Sequence, residues 1–196
     1  MLFADYNQTK VVYHVAPITD LKKIINKGIE YDDKKTYKSK YLSFHKHIDS
    51  FKNKRIPQWV MRERGIFASM NFSKEHCWHS HSVLLALNIN PNKCWIANEN
   101  LANKTYEPFI LKDIEGFEEA GDYLKNQGYK SIKKYWDTSL SFLDNLKIRK
   151  DMTKGYDAEV LIFHSIESKD IIPVAIVSDH VIMSVKRWKE LFRGGK

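Results

Sequence analysis

The chain has little cysteine and no long hydrophobic run, and each shortage excludes a class of protein. Cys77 and Cys94 are the only two cysteines in 196 residues, too few for a disulfide framework and without the C-x-x-C spacing of a zinc site. No apolar run reaches the roughly 18 residues of a membrane-spanning helix. The start of the sequence lacks the basic and apolar regions of a signal peptide. We therefore expect a soluble, cytoplasmic protein that makes no membrane contact.

Glycine and proline are also scarce, with 8 and 5 residues respectively, and no tract rich in them separates two domains. The 196 residues are 43% hydrophobic and 13% aromatic, which is enough to bury a core. We expect a single domain over residues 1–196. The glycine-rich phosphate motifs GxGxxG and GxxxxGK[ST] do not occur, which argues against a Rossmann or Walker nucleotide site.

Negative charge is in deficit, since 32 Lys and Arg residues face 24 Asp and Glu residues for a formal net charge of +8. This balance favours anionic partners such as a dinucleotide, a nucleic acid or an acidic surface. The basic residues are dispersed and form no recognised nucleic-acid motif. Charge alone therefore leaves the partner open.

Short strand-like runs alternate with amphipathic segments, an order that predicts an α+β fold. Residues 11–15 form a β-branched and aromatic run that ends at Pro17, and residues 20–27 carry a helical apolar face that stops at Gly28. Further strands are predicted at residues 41–44, 65–70, 82–89, 159–165 and 171–178, and a short helix at 73–80.

Two residues far apart in the sequence carry the chemistry that a nucleotide site needs. His14 closes the first strand, and Glu159 lies in the strand-like run AEVLIF. A neutral imidazole can hydrogen-bond a ribose hydroxyl, and a carboxylate can stabilise developing positive charge. The pair suggests the two ends of one nucleotide site.

Three segments that lie far apart in the sequence form a larger pattern around His14 and Glu159. They are YHVA (13–16) followed by LKKIINKGI (21–29), GIFASM (65–70) with Ser73-Lys74, and YW (135–136) followed by DAEVLIF (157–163). In this order they resemble the ADP-ribosyltransferase superfamily, specifically the diphtheria-toxin-like branch that includes the poly-ADP-ribose polymerases and the DarT-type DNA ADP-ribosyltransferase toxins. The resemblance implies a split antiparallel β-sheet core with flanking helices.

The resemblance also implies a function. The protein is expected to be a toxin-like, NAD-dependent mono-ADP-ribosyltransferase, which cleaves the nicotinamide–ribose bond of its co-substrate NAD and transfers ADP-ribose to a macromolecular acceptor such as DNA or RNA. Glu159 is then the catalytic carboxylate, His14 binds the ribose of NAD, and Asp157 orients the acceptor. Tyr13 and Ser69 complete the motifs on the NAD-binding side.

The middle of the expected site stays open. Phe67 occupies the position where the family has a tyrosine, and Tyr41 or Ser43 of the predicted strand 41–44 are alternatives. The DarT-type resemblance favours an arginine that clamps phosphate, for which either Arg62 or Arg64 is a candidate.

Three other functions stay open as well. One is an RNA 2′-phosphotransferase of related fold, another is a catalytically silent module that binds nucleic acid or protein, and the third is NAD glycohydrolysis in place of transfer. The histidine cluster at residues 76–81 and the pair His45 and His47 match no standard zinc spacing. We therefore expect no metal site.

Overall fold

The computed structural model describes residues 3–33, 39–72 and 76–193. The Ser73-Lys74 part of the family resemblance lies outside the described residues. The helix predicted at 73–80 is wrong over its described part, because residues 76–80 are not helical. The strands are β1 (Val11–Pro17), β2 (Ile66–Ser69), β3 (Ser82–Asn88), β4 (Cys94–Asn98), β5 (Leu140–Ser141), β6 (Ala158–Ile162), β7 (Ile171–Ser178) and β8 (Val181–Ser184).

The helices follow the same chain order. They are α1 (Tyr6–Thr9), α2 (Leu21–Lys27), α3 (Ser39–Asp49), α4 (Glu99–Asn103), α5 (Tyr106–Leu111), α6 (Glu118–Tyr123), α7 (Tyr129–Thr138), α8 (Phe142–Ile148) and α9 (Val185–Arg193), with a π-helical turn at Leu124–Gly128. Short 3-10 turns lie at Ile18–Asp20, Arg62–Arg64, Pro91–Lys93, Lys150–Met152 and Ser168–Asp170.

The chain divides into two compact units, each assembled from separate stretches of sequence. The first unit comprises Met1–Tyr31, Phe67–Asn90 and His164–Lys196, and the second comprises Asp32–Ile66 and Pro91–Phe163. Both units combine helices with antiparallel strands, so the expected α+β class is confirmed. A single domain over the whole chain stays a prediction.

The first unit is built on antiparallel strands in the order β2, β1, β3, β7 and β8. Its central strand β3 is buried over six consecutive residues, as expected for the continuous apolar run SVLLAL. The predicted strand at residues 11–15 is confirmed as β1, in which His14 lies opposite Leu85 of β3. Tyr13 points into the core beside Phe72.

Gly28 ends α2, as predicted, and has a backbone φ of +80° that side-chain-bearing residues rarely adopt. A Cβ atom at this position would lie 2.2 Å from the carbonyl oxygen of Ile166. The next residue, Ile29, exchanges two backbone hydrogen bonds of 2.9 Å with Ile166. Glycine is therefore required both by conformation and by this close approach.

The second unit has antiparallel strands in the order β5, β4 and β6. Val160, Leu161 and Ile162 of β6 are fully buried, which accounts for the apolar run after Glu159. In α7, Tyr135 and Trp136 are buried too, and the indole Nε1 of Trp136 donates to the carbonyl oxygen of Ile48 at 2.8 Å.

The strand predicted at residues 41–44 is wrong, because these residues belong to helix α3. Phe44 and Ile48, spaced i and i+4, are buried on one face of this helix, whereas Tyr41 and Ser43 are exposed. Four residues are too few to distinguish helical from strand periodicity.

Among the described residues, no helix is long and apolar enough to span a membrane.

Candidate active site

Glu159 is the second residue of β6 and is only 3% exposed. Its carboxylate receives a two-pronged contact from Arg62, with Nη2 at 2.9 Å from Oε2 and Nε at 3.3 Å from Oε1. Arg62 is itself 4% exposed. Paired donors from a planar guanidinium fix both the position and the rotation of the carboxylate.

Arg62 begins the 3-10 turn Arg62–Arg64, and this turn is held by a half-buried carboxylate at the end of α3. Asp49 accepts the backbone N–H of Arg62 at 2.8 Å through Oδ1 and that of Glu63 at 2.9 Å through Oδ2. Burial raises the pKa of Asp49 to about 6, although the two N–H donors lower it. The turn, and with it the guanidinium, is thus anchored to α3.

Tyr135 of α7 completes the first layer around the carboxylate. Its hydroxyl donates to Oε1 of Glu159 at 2.6 Å and accepts from Nε of Arg62 at 3.2 Å. Burial and then the charge of Glu159 raise the pKa of Tyr135 well above its ordinary value, so the phenol keeps its proton and serves as a donor. The YW pair in the family resemblance carried no assigned role at the site, and the structure gives Tyr135 one.

His45 of α3 lies against the other side of the guanidinium, where Nη1 of Arg62 donates to Nδ1 of the imidazole. Arginine has no acceptor, so this ring nitrogen must be unprotonated and the histidine is neutral with its proton on Nε2. The guanidinium carbon also lies 5.9 Å from the ring centre of Phe44. His45 and His47 both belong to α3, in which side chains two residues apart diverge.

Arg62 is therefore a cation enclosed by groups that hold it charged. Burial alone would lower the pKa of its guanidinium, but the negative charge of Glu159 and the hydrogen bonds around it raise that pKa above the ordinary value. When both charges of an ion pair are buried, the loss of their hydration offsets much of the attraction between them. Such a pair contributes little net stability, so its presence here calls for a structural or functional explanation.

A second carboxylate lies near this pair. Glu99, the first residue of α4, is half-buried, and its backbone N–H donates to the carbonyl oxygen of Asp157 at 2.8 Å. Burial, followed by the charges of Glu159 and Asp157, raises the pKa of Glu99 to about 7. Two carboxyl groups whose surroundings differ so strongly are the usual arrangement in acid–base sites. Glu99 was not predicted from the sequence.

His14 belongs to the first unit, where its Nδ1 lies 2.6 Å from the carbonyl oxygen of Phe67 in β2. Because a carbonyl only accepts, Nδ1 carries the proton and Nε2 is the acceptor nitrogen. Tyr13 is a core residue whose hydroxyl donates to the carbonyl oxygen of Ala4 at 3.0 Å. Ser69 lies opposite Tyr13 across the β1–β2 pair.

The remaining predicted residues lie apart from the carboxylate. Tyr41 stacks on Tyr106 with ring centres 5.6 Å apart, and Ser43 is exposed. Arg64 forms an ion pair of 2.9 Å with Asp32, and its side chain is 44% exposed. Of the two candidate arginines, the structure therefore brings Arg62 to Glu159.

Two groupings result from these placements. Glu159, Arg62, Tyr135 and His45 come together in the second unit, and His14 meets Phe67 in the first. Asp157, expected to orient an acceptor, is exposed two residues before Glu159. Within residues 3–33, 39–72 and 76–193, no group of three or more His, Cys, Asp or Glu side chains is arranged to hold a metal ion.

Comparison of the chain with protein-family models, curated proteins and solved structures gives no match.

Proposed function

We propose that the protein is an NAD-dependent mono-ADP-ribosyltransferase with Glu159 as its catalytic carboxylate. The observation that carries the proposal is the buried, two-pronged contact of Arg62 with Glu159 in the AEVL strand that resembles the family's catalytic strand. A carboxylate held this way has a fixed direction and needs no reorganisation during a reaction.

The chemistry calls for such a group. When the nicotinamide–ribose bond breaks, its electron pair leaves with nicotinamide and positive charge develops on the ribose carbon C1′. Among the described residues, Oε2 of Glu159 accepts one hydrogen bond, so this oxygen has capacity to accept another from a ribose hydroxyl. A negative charge there favours the transition state over the ground state.

Arg62 and Tyr135 act in this proposal as positioning residues. Arg62 holds Oε2 of the buried carboxylate through an ion pair of 2.9 Å, and Tyr135 holds Oε1 through a hydrogen bond of 2.6 Å. His45 in turn fixes the guanidinium from its far side. The four side chains form one connected network, so the loss of any member disturbs the carboxylate.

His14 of the first unit supports the proposal independently of the Glu159 network. In His14 the bond from Nδ1 to Phe67 leaves Nε2 as a hydrogen-bond acceptor, which suits a ribose hydroxyl donor. This tautomer agrees with the role that the family resemblance implies. NAD as co-substrate and DNA or RNA as acceptor remain part of the proposal, with the net charge of +8 as support for an anionic partner.

Two observations favour a second function, a binding module of the same fold without catalysis. Both oxygens of Glu159 are already bonded to protein groups, as in a purely structural ion pair, and Phe67 lacks the hydroxyl of the family's tyrosine. The two functions differ in one measurable respect, which is the cleavage of NAD.

The test is release of nicotinamide from NAD by the purified protein. Glu159→Gln should lower the rate by about 10²–10³-fold, the usual effect of removing one preorganised electrostatic group. Glu167→Gln, at a charge outside the network and ion-paired with Lys169, is the matched control. Thermal unfolding of each variant shows whether it is folded. Absence of NAD cleavage by the unaltered protein, together with no NAD-dependent rise in its melting temperature, would overturn the proposal in favour of a binding module.

A further inference from the structure

The register of β4 and β6 places Glu99 on the same face as Glu159. Ala97 lies directly opposite Glu159, and residues opposite one another in antiparallel strands point to the same side. Asn98 is still extended, with φ of −91° and ψ of 102°. Because side chains alternate along extended backbone, the side chain of Glu99 points to the same side of the sheet as that of Ala97. It therefore lies on the same side as the side chain of Glu159.

This junction is fixed by several hydrogen bonds. The backbone N–H of Glu99 donates to the carbonyl oxygen of Asp157, which continues the β4–β6 ladder beyond its last paired residues. The side-chain oxygen of Asn98 accepts the backbone N–H groups of Asp157 and Asn100, each at 3.2 Å. The start of α4 is therefore tied to the chain just before Glu159.

The groups that face Glu99 determine its affinity for a proton. Glu159 and Asp157 are negative neighbours, Arg62 is the positive one, and Asn103 hydrogen-bonds its side chain. Burial together with the two anions outweighs Arg62 and Asn103, so the pKa of Glu99 is about 7. A carboxylate of this kind exchanges a proton near neutral pH, as a general base must.

We propose that Glu99 is the general base that removes the proton from the nucleophile which attacks the ribose carbon. The proposal rests on the ADP-ribosyltransferase function proposed above. Glu159 is unsuited to this task because its negative charge, held in place by Arg62 and Tyr135, is needed to stabilise the ribose cation, and Asp157 is exposed to water.

The proposed step is a nucleophilic substitution at the ribose carbon C1′. The bond between C1′ and the nicotinamide nitrogen breaks, and its electron pair neutralises the pyridinium as nicotinamide leaves. A lone pair of the nucleophile, an O–H or N–H group of the acceptor or of water, forms the new bond to C1′. The proton of that group passes to the carboxylate of Glu99, while Glu159 stabilises the cationic ribose through its negative charge.

Azide separates the two carboxylates in an experiment. Azide is an anionic nucleophile without a proton, so it needs no general base. With water as the nucleophile, Glu99→Gln should lower NAD cleavage by about 10²–10⁴-fold, and added azide should restore the rate and yield ADP-ribosyl azide. Glu159→Gln should not be restored, because the ribose cation is still unstabilised. Glu107→Gln, an exposed carboxylate of α5, is the control and should behave as the unaltered protein does.

A second measurement tests the placement of Glu99 without any activity. Its pKa is raised on folding from 4.5 to about 7, so the folded state binds the proton more tightly than the unfolded state. The resulting stability is fully present below about pH 4.5 and is lost as the pH rises to about 7. Glu99→Gln should remove this part of the decline in urea unfolding experiments, and Glu107→Gln should retain it.

The outcomes are distinguishable. If the unaltered protein cleaves NAD but Glu99→Gln cleaves it equally fast, or is slowed and not restored by azide, the role of Glu99 is overturned and the transferase proposal stands. If the unaltered protein does not cleave NAD at any pH, both proposals fail.

Discussion

His14 and Glu159, the two residues expected to anchor the site, lie in opposite kinds of surroundings. His14 is half-buried on a strand of the first unit, and its Nδ1 donates to the backbone carbonyl oxygen of Phe67. Glu159 is enclosed in the second unit by Arg62 and Tyr135, which contact both of its oxygens. One is a half-buried side chain on a strand of the first unit, and the other is part of a buried polar network.

The difference determines what a mutation at each residue can teach. Replacing a member of the buried network removes a partner from an enclosed charge, so folding and activity are lost together. Replacing His14 removes a hydrogen bond to a backbone carbonyl at a half-exposed position, where no buried charge is left without a partner. A loss of activity is therefore direct evidence of function at His14, whereas at Glu159 it must be separated from stability.

The largest effect is expected for Arg62→Leu. This change leaves Glu159 buried without its cation, and the free energy of unfolding should fall by about 3–5 kcal/mol. Urea unfolding followed by circular dichroism measures it. The matched control is Arg64→Leu, whose partly exposed pair with Asp32 should contribute only about 0–1 kcal/mol. If the two substitutions lowered the free energy of unfolding equally, the buried network would contribute no more to stability than the partly exposed ion pair does.

A smaller loss is expected for Tyr135→Phe, which deletes only a hydroxyl. Oε1 of Glu159 then keeps Arg62 but loses the donor at 2.6 Å, and the free energy of unfolding should fall by about 1.5–3 kcal/mol, as for other bonds to charged groups. Tyr129→Phe, on the exposed side of the same helix, is the control. If Tyr135→Phe lowered the free energy of unfolding by less than Tyr129→Phe does, a water molecule would have replaced the lost hydroxyl as the donor to Glu159.

In the first unit the comparable test is Gly28→Ala. A backbone of φ +80° disfavours alanine by about 1–3 kcal/mol, and the added Cβ would also meet the Ile166 carbonyl at 2.2 Å. Gly116→Ala has a similar φ of +85° with nothing within 4 Å, so it measures conformational strain alone. The first substitution should cost more, and the excess in thermal unfolding is the contribution of the close approach.

The smallest effect on stability is expected for His14→Gln, at about 1 kcal/mol or less, because a glutamine amide can still donate to the Phe67 carbonyl. Calorimetric titration with NAD should nevertheless show an affinity reduced by about tenfold, the value of one lost hydrogen bond. An unchanged affinity would separate His14 from the NAD site.

Local features of the fold could be predicted from the sequence. The β-branched run ending at Pro17 is strand β1, and the apolar face before Gly28 is helix α2. In both cases the signal lies in consecutive residues whose periodicity and end signals agree. Residues 41–44 gave the wrong element, because the helical spacing becomes visible only when Phe44 is taken with Ile48, beyond the segment considered.

The neighbours of Glu159 could be predicted only in part. Its own strand was expected from its apolar sequence, but the choice of Arg62 over Arg64 depends on the 3-10 turn that Asp49 holds, 13 residues earlier in the chain. Tyr135 and His45 join the network through contacts 24 and 17 residues from Glu159 and Arg62 respectively. Pairings of this kind depend on tertiary packing, which one sequence without its relatives does not reveal.

The division of the chain into separate stretches has a consequence for biosynthesis. Every residue of the second unit precedes residue 164, so a ribosome that has released this part of the chain has provided all members of the Glu159 network. The first unit still awaits β7, which pairs along β3 beside the strand of His14. During translation, all residues of the Glu159 network are therefore synthesised before the strand that completes the sheet of His14.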